Sequence, residues 1–227
     1  MKKSIVAVLA TTTALSAAHL AKADTLADWT FETSVPTTAG PFSPEIGSGS
    51  ATAVGLGTIS SPAGNGSTHS FSANTWNVGT SYYQFQVSTL GYNNLSLSYD
   101  QASSNTGPGL FNLEYTTDGV NFFTITSGYS VLANASPNPV WNGTTSSGLY
   151  SFSYNLSSIA GLNNESVVDF LIVDAGTTSA NGGTVASGGT DRVDNVIVTA
   201  SPVPEPSTLA LCGLGAVGGL LSLRRKA

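Results

Sequence analysis

The sequence predicts an all-β fold, an antiparallel sandwich of two sheets, for the stretch between residues 24 and 200. Short apolar runs alternate there with polar residues at period two, which is typical of strands with one face buried and one face in water. Tyr83, Phe85 and Val87 form one such run. Apolar residues at helical spacing are absent from this stretch, and Gly, Asn, Pro and Ser separate the runs. Eight or more short strands in this pattern favour a jelly-roll-like arrangement.

Each predicted strand rests on its own run of aromatic and β-branched residues, which fit a pleated, half-buried surface. One connection is also predicted. Asp118 and Gly119 stand between Tyr115 and Phe122, and both tolerate the positive φ of a type I′ hairpin turn. In chain order the predicted strands are residues 29–32, 52–59, 83–87, 95–99, 111–115, 150–154, 167–173 and 193–199.

Residues 1–23 have the three-part order of a secretory signal peptide: a basic start, a short apolar middle and small residues before the cleavage point. Cleavage is expected before Asp24, so signal peptidase and the export machinery are predicted partners. A buried helix of the folded domain is the alternative interpretation. The three parts are Lys2 with Lys3, the apolar run 5–15, and Ala21 with Ala23.

The other end of the chain predicts a membrane anchor. Residues 201–207 form a Pro-rich linker, in which three prolines within five residues prevent a helix. The apolar segment 208–223 is predicted to form a transmembrane helix, and 224–227 a basic cytoplasmic tail. The fifteen residues 209–223 of this apolar segment span about 23 Å as a helix, less than the roughly 30 Å of a bilayer core, so the anchor is weak. The positive-inside rule then places the preceding chain across the membrane. The bases of the tail are Arg224, Arg225 and Lys226.

Pro204, Glu205 and Pro206 precede a Ser-Thr pair, a Gly-rich apolar segment and the basic end. This order resembles the PEP-CTERM sorting signal of Gram-negative bacteria that make extracellular polysaccharide. The resemblance implies that an exosortase, an integral-membrane cysteine transpeptidase, processes the chain near this motif. The domain before it then passes from an inner-membrane intermediate to the cell surface or the outside. A tail-anchored protein with a Pro-rich linker is the alternative.

The charge of the central region excludes nucleic acid as a partner. Residues 24–200 contain twelve acidic residues and one base, Arg192, for a net charge of −11. Nucleic-acid binding requires clustered Lys and Arg that neutralise phosphates. An anionic membrane surface is an equally poor partner for this region.

The central region also lacks the side chains of several kinds of site. Cys212 lies in the terminal apolar segment and His19 in the signal peptide, which leaves His69 as the one imidazole and no thiol. Zinc sites need three or four N or S ligands, so transition metals are excluded. No Gly-rich phosphate loop is present, and no catalytic residue is assigned.

Calcium is the cofactor that the sequence favours, because carboxylates and loop carbonyls supply the oxygen ligands of hard cations. The Trp-x-Phe-Glu segment that ends at Glu32 and the Asp-Asn-Val segment that begins at Asp194 resemble motifs of extracellular jelly-roll modules and of PEP-CTERM ectodomains. In such modules a Glu near the first strand and an Asp near the last hold a structural calcium. The resemblance implies Glu32 and Asp194 as ligands, with Asp191 or Asp28 beside them. An acidic rim without an ion is the alternative.

The sequence therefore favours an exported, non-enzymatic surface or matrix protein with a structural or adhesive domain. Two alternatives remain. In a carbohydrate-binding module of the polysaccharide matrix, Trp76 and Trp141 would stack on a sugar, although aromatic residues of a sandwich are more often core. A small glycoside hydrolase or lyase would need two facing carboxylates, for which Asp100 and Glu114 are candidates.

Overall fold

The computed structural model describes residues 22–203, which form two antiparallel sheets packed face to face. The predicted all-β antiparallel sandwich is confirmed. The predicted signal peptide as far as Ala21, the PEP motif, the apolar segment and the basic tail lie outside the described residues. No helix between residues 22 and 203 has the length and apolar character needed to cross a membrane.

Twelve strands and two short 3₁₀ helices are described between residues 22 and 203. The 3₁₀ helices are Gly148–Tyr150 and Ala160–Leu162. The strands are β1 (Asp24–Trp29), β2 (Ile46–Gly47), β3 (Ser50–Val54), β4 (Ile59–Ser60), β5 (Phe71–Ala73), β6 (Tyr82–Val87), β7 (Tyr92–Ser103), β8 (Leu110–Thr116), β9 (Phe123–Ser130), β10 (Ser151–Asn155), β11 (Val168–Asp174) and β12 (Asp191–Pro202).

The strands divide into a seven-stranded and a five-stranded sheet. The seven-stranded sheet has the order β10-β7-β12-β1-β2, with β5 also paired to β12 and β4 to β5. The five-stranded sheet has the order β3-β6-β11-β8-β9. The chain crosses between the sheets after most strands, as it does in a jelly roll. Strands that are neighbours in space are therefore often distant in sequence.

An aromatic core fills the space between the sheets. Trp29 of β1 packs edge-on against Phe85 of β6, with ring centroids 5.3 Å apart. Phe71 of β5 lies 5.0 Å from Tyr83 of β6 by the same measure. The alternation in β6 is as predicted, because Tyr83, Phe85 and Val87 are buried between the sheets. The other side chains of β6 therefore point to the outer face of the five-stranded sheet.

The first and last strands, β1 and β12, pair with each other inside the seven-stranded sheet, and both ends of the described chain lie at the same end of this strand pair. Strand β1 begins at Asp24, directly after the predicted cleavage point, and pairs there with Ala200 of β12. Strand β12 continues to Pro202, and the amide of Val203 donates to the carbonyl of Gly91 at 2.8 Å. The strand thus extends two residues past the predicted domain end at residue 200, because its last residues still pair with β7.

The predicted hairpin between β8 and β9 is present, but its turn is not type I′. Gly119 has a φ of 70°, whereas Asp118 is not among the residues with positive φ. The carboxylate of Asp118 instead accepts hydrogen bonds from the amides of Val120 and Asn121, at 2.9 and 2.8 Å. The pKa of Asp118 is lowered from its usual value, chiefly by the hydrogen bond from the Asn121 amide. A six-residue loop closed by an aspartate side chain therefore replaces the two-residue turn.

Candidate functional site

A groove follows β11 along the outer face of the five-stranded sheet. Two adjoining cavities, of about 440 and 100 Å³, share Tyr82, Phe122 and Leu171 as lining residues. Strand β11 is central in the sheet, with β6 on one side and β8 on the other. Its outward side chains alternate with the core residues Val168, Phe170 and Ile172. They form the floor of the groove, and side chains of the flanking strands form its walls.

The floor contains a carboxylate. Asp169 points outward and is only 7% exposed. Its Oδ1 accepts a hydrogen bond of 2.9 Å from the side-chain amide of Gln86 on β6. Arg192, the one base between residues 24 and 203, lies on the seven-stranded sheet. A neutral amide holds the carboxylate instead.

A second carboxylate comes from β8. Glu114 lines the larger cavity, and its Oε1 accepts a bond of 3.3 Å from the Asn112 amide. Glu114 of β8 lies opposite Leu171 of β11. Asp169 is two residues before Leu171 on β11, so Glu114 and Asp169 are diagonal neighbours. Residues at diagonal positions of this kind lie about 7–8 Å apart, and their Cβ atoms are somewhat closer. Both carboxylates therefore belong to one surface.

Two aromatic side chains flank the groove. Tyr82 of β6 is half-buried, and Phe122 from the loop before β9 is 49% exposed. Each contributes an aromatic face beside polar groups, and such faces pack well against the apolar faces of a ring. The sequence pattern does not single out Phe122. Its position over β11 depends on the pairing of strands that are far apart in the sequence.

The two tryptophans predicted to stack on a sugar are buried instead. Trp76 is 7% exposed, donates from Nε1 to the Ala73 carbonyl at 3.0 Å, and packs edge-on against Tyr83. Trp141 is 4% exposed and packs edge-on against Tyr150. Both are packing residues, and neither ring offers the open face that the carbohydrate-binding alternative requires.

The predicted calcium ligands Glu32 and Asp194 approach the same loop. Glu32 Oε1 accepts from the His69 amide at 2.7 Å. Asp194 Oδ2 accepts from the Asn65 amide at 2.8 Å and from the Ser67 hydroxyl. Burial raises the pKa of Asp194 to about 7, against the opposing effect of these bonds. The Asp194 carboxylate is thus surrounded by hydrogen-bond donors of the protein.

The other two predicted ligands lie elsewhere. Asp191 is fully buried between the sheets, where its Oδ1 accepts from Gln101 and its Oδ2 lies 2.8 Å from the Ser103 hydroxyl. Asp28 lies beside Glu45, and burial followed by the charge of Glu45 raises the pKa of Asp28. Between residues 22 and 203, no three His, Cys, Asp or Glu side chains are grouped to hold a metal ion. Calcium binding stays a prediction.

The carboxylates named for a glycosidase do not face each other. Asp100 belongs to β7 of the seven-stranded sheet, and Glu114 to β8 of the other. Asp100 is instead joined to Asp194 through Asn195, whose Nδ2 lies 2.9 and 3.3 Å from the two carboxylates. Both acids are buried, so this pair is closed to a substrate.

The C-terminal end agrees with a known sorting signal. Residues 202–226 match the PEP-CTERM protein-sorting motif. The predicted resemblance is confirmed, and the motif supports sorting of the chain to the cell surface through its C-terminal end. It begins at Pro202, the last residue of β12. The matched motif therefore begins within the last residues of the folded domain.

Two solved structures have remote similarity to the sandwich. The K3 cleaved adhesin domain of Lys-gingipain from Porphyromonas gingivalis w83 is 14% identical, with 77% of this chain and 98% of that chain covered and a TM-score of 0.42. The CBM22-1 xylan-binding domain from Paenibacillus barcinonensis Xyn10C is 12% identical, with 82% and 99% covered and a TM-score of 0.40. No curated protein matches the sequence. These similarities are too remote to identify a ligand or an activity.

Proposed function

We propose that this chain is an exported surface or matrix protein whose β-sandwich binds extracellular polysaccharide without modifying it. The groove along β11 carries the proposal, because it combines exposed aromatic surface with polar groups on a rigid sheet. Binding sites are typically concave, mostly apolar and provided with a few placed polar groups. The groove is the part of the described surface that best fits this description.

The chemistry of the groove suits a sugar chain. Tyr82 and Phe122 offer ring faces for the C–H faces of pyranose units. Asp169 and Glu114 each have one oxygen bonded to an amide, and their remaining oxygens accept no hydrogen bond within residues 22–203. Sugar hydroxyls supply the donors that these oxygens lack. Adhesion to a polysaccharide would follow from several such contacts along one chain.

The geometry of the ends suits a displayed module. The start of β1 and the end of β12 lie side by side at one end of a strand pair inside the seven-stranded sheet. The groove lies on the outer face of the other sheet, so the sorting segment does not need to cross it. Before processing, the predicted segment 208–223 would hold the domain at the membrane, and exosortase would then act near Pro204, Glu205 and Pro206.

A paired substitution tests the proposal. Phe122 and Phe123 are neighbours with 49% and 51% exposure, but only Phe122 lines the groove. We expect Phe122→Ala to weaken binding to the recognised polysaccharide in affinity electrophoresis about tenfold or more, because stacked aromatic contacts contribute strongly to recognition. Phe123→Ala is the matched control, and the polysaccharide should retard this variant as strongly as it retards the native domain. Equal effects of both variants would contradict a role for the groove.

A glycosidase is the second candidate, because Glu114 and Asp169 lie in one groove at diagonal positions. Carboxyl groups about 5–10 Å apart are the catalytic pairs of glycoside hydrolases. Release of reducing ends from a bound polysaccharide, lost in Glu114→Gln, would support this candidate. Binding without release at any pH from 4 to 9 would leave the adhesive function alone.

A further inference from the structure

We infer that the groove along β11 selects polysaccharides without acidic groups, such as neutral glucans, xylans or mannans, over uronic-acid or sulfated chains. The inference rests on the proposed function, since it names the class of ligand for the same groove. It follows from the two carboxylates in the groove and from the positions of the few cations.

The carboxylates present negative charge to anything in the groove. Asp169 Oδ1 accepts a hydrogen bond of 2.9 Å from the side-chain amide of Gln86. Glu114 Oε1 accepts one of 3.3 Å from the side-chain amide of Asn112. An amide fixes a carboxylate in place but does not neutralise its charge. The remaining oxygens can accept from ligand hydroxyls, whereas a ligand carboxylate or sulfate would meet like charge in a partly desolvated site.

No cation of the described chain can offset this repulsion. Between residues 22 and 203 the bases are Lys22 and Arg192. Lys22 precedes the predicted cleavage point. Arg192 lies on β12 of the opposite sheet, where its Nη1 donates to the Ala63 carbonyl at 3.0 Å and its guanidinium lies 5.7 Å from the Trp141 ring centroid. The sheets pack about 10 Å apart, so Arg192 cannot reach the groove.

The one imidazole between residues 22 and 203 is also on the other side of the sandwich. His69 lies just before β5 of the seven-stranded sheet, with Nδ1 3.5 Å from the Ser61 carbonyl. Acidic glycans are normally bound through Arg or Lys, whose donors match an anionic group. The groove has instead a neutral amide, Gln84, that can both donate to and accept from a hydroxyl.

The test compares neutral polysaccharides with derivatives that carry added carboxylates. Soluble glucan, xylan and mannan are each used beside their own carboxymethylated derivative, in affinity electrophoresis of the secreted domain at low and high salt. We expect retardation by at least one neutral polysaccharide. Its carboxymethylated form should bind about tenfold or more weakly at low salt, with part of the loss recovered at high salt because salt screens repulsion.

A double variant gives the second measurement. Glu114→Gln with Asp169→Asn removes the charge and keeps the shape of both side chains. We expect the affinity for the neutral polysaccharide to exceed that for its carboxymethylated form by only about threefold or less, since the like-charge repulsion is gone. Circular dichroism and Tm confirm that the variant is folded.

The outcomes separate the two proposals. Equal or tighter binding of the carboxymethylated forms by the native domain would overturn the selectivity while leaving polysaccharide binding intact. An unchanged ratio in the double variant would also overturn it, because the carboxylates would then not be the cause. Failure to bind either series would overturn the proposed function itself.

Discussion

The hydroxyl oxygen of Ser103 lies 2.6 Å from the carbonyl oxygen of Pro108 and 2.8 Å from Oδ2 of Asp191 inside the sandwich. Ser103 has one hydroxyl hydrogen, and a carbonyl can only accept. For both short contacts to be hydrogen bonds, the second proton must come from Asp191. Burial raises the pKa of Asp191 well above its usual value, in agreement with this count. We therefore predict that Asp191 is a neutral acid that donates to Ser103.

The first prediction concerns the pH dependence of stability. The unfolded chain ionises Asp191 above about pH 4, whereas the folded chain keeps it protonated to a higher pH. The contribution of Asp191 to stability is thus fully present below pH 4 and is lost as the pH rises through the raised folded value. Each pH unit in this window lowers the free energy of unfolding by about 1.4 kcal/mol.

Asp191→Asn isolates this contribution. The amide keeps the shape, donates to Ser103 and accepts from Gln101, yet it does not ionise. We expect the Tm of the variant to exceed that of the native domain at pH 7–8 and to approach it at pH 4. Thermal unfolding at several pH values measures the difference. Parallel curves for the two proteins would show that Asp191 is charged in the folded state.

The second prediction concerns Asp194, for which burial raises the pKa to about 7. Its Oδ2 accepts from the hydroxyl of Ser67 and from the amide of Asn65, and both bonds favour the charged form. Ser67→Ala removes one of them, so the pKa should rise further. Carboxyl ¹³C NMR of the native domain should give a midpoint near 7 and a higher midpoint in the variant. An unchanged midpoint would contradict the assigned bond.

A third prediction tests the close packing at the same aspartate. A Cβ added at Gly64 would lie 2.1 Å from Asp194 Oδ2 and 2.4 Å from the His69 carbonyl. Because these neighbours must move, Gly64→Ala should destabilise the domain by about 1–3 kcal/mol in denaturant unfolding. Gly188→Ala is the control, since a Cβ there meets nothing within 4 Å. Similar losses in both variants would argue against close packing as the cause.

Local patterns predict parts of this molecule well. Period-two alternation assigns Tyr83 and Phe85 to the core because each side chain's face depends only on its own strand. The same rule places Glu114 outward, but it cannot say which strand lies beside it. The groove depends on the order β6-β11-β8, which joins segments far apart in sequence. Burial of Trp76 also depends on neighbours that its Gly/Asn-rich surroundings do not reveal.

The fourth prediction concerns calcium. If Glu32 and Asp194 hold the ion, chelator-treated domain should bind calcium in calorimetric titration and show a raised Tm. Saturation a hundredfold above the dissociation constant adds about 2.7 kcal/mol to the free energy of unfolding. Glu32→Gln should abolish the response while Asp28→Asn, beside Glu45 and away from the loop, should not. No response at millimolar calcium would leave this acidic rim without an ion.

The last prediction joins the sorting motif to the fold. The motif begins at Pro202, and the sandwich ends with the bond from the Val203 amide to Gly91. Cleavage near Pro204 therefore leaves every strand intact, and a domain ending at Val203 should keep its full Tm. A domain ending at Asn195 loses the pairing of Val196 and Val198 with β1, two fully buried core residues, and should be strongly destabilised.

The corresponding measurement in cells is the C-terminus of the mature protein. Peptide mass spectrometry should find an end near Pro204 to Pro206 in cells that contain an exosortase, and the full tail through Lys226 in cells that lack it. Retention of the tail in both would mean that the segment anchors the chain permanently. Because β12 already closes the sandwich, removing the tail should change the location of the domain and leave its stability the same.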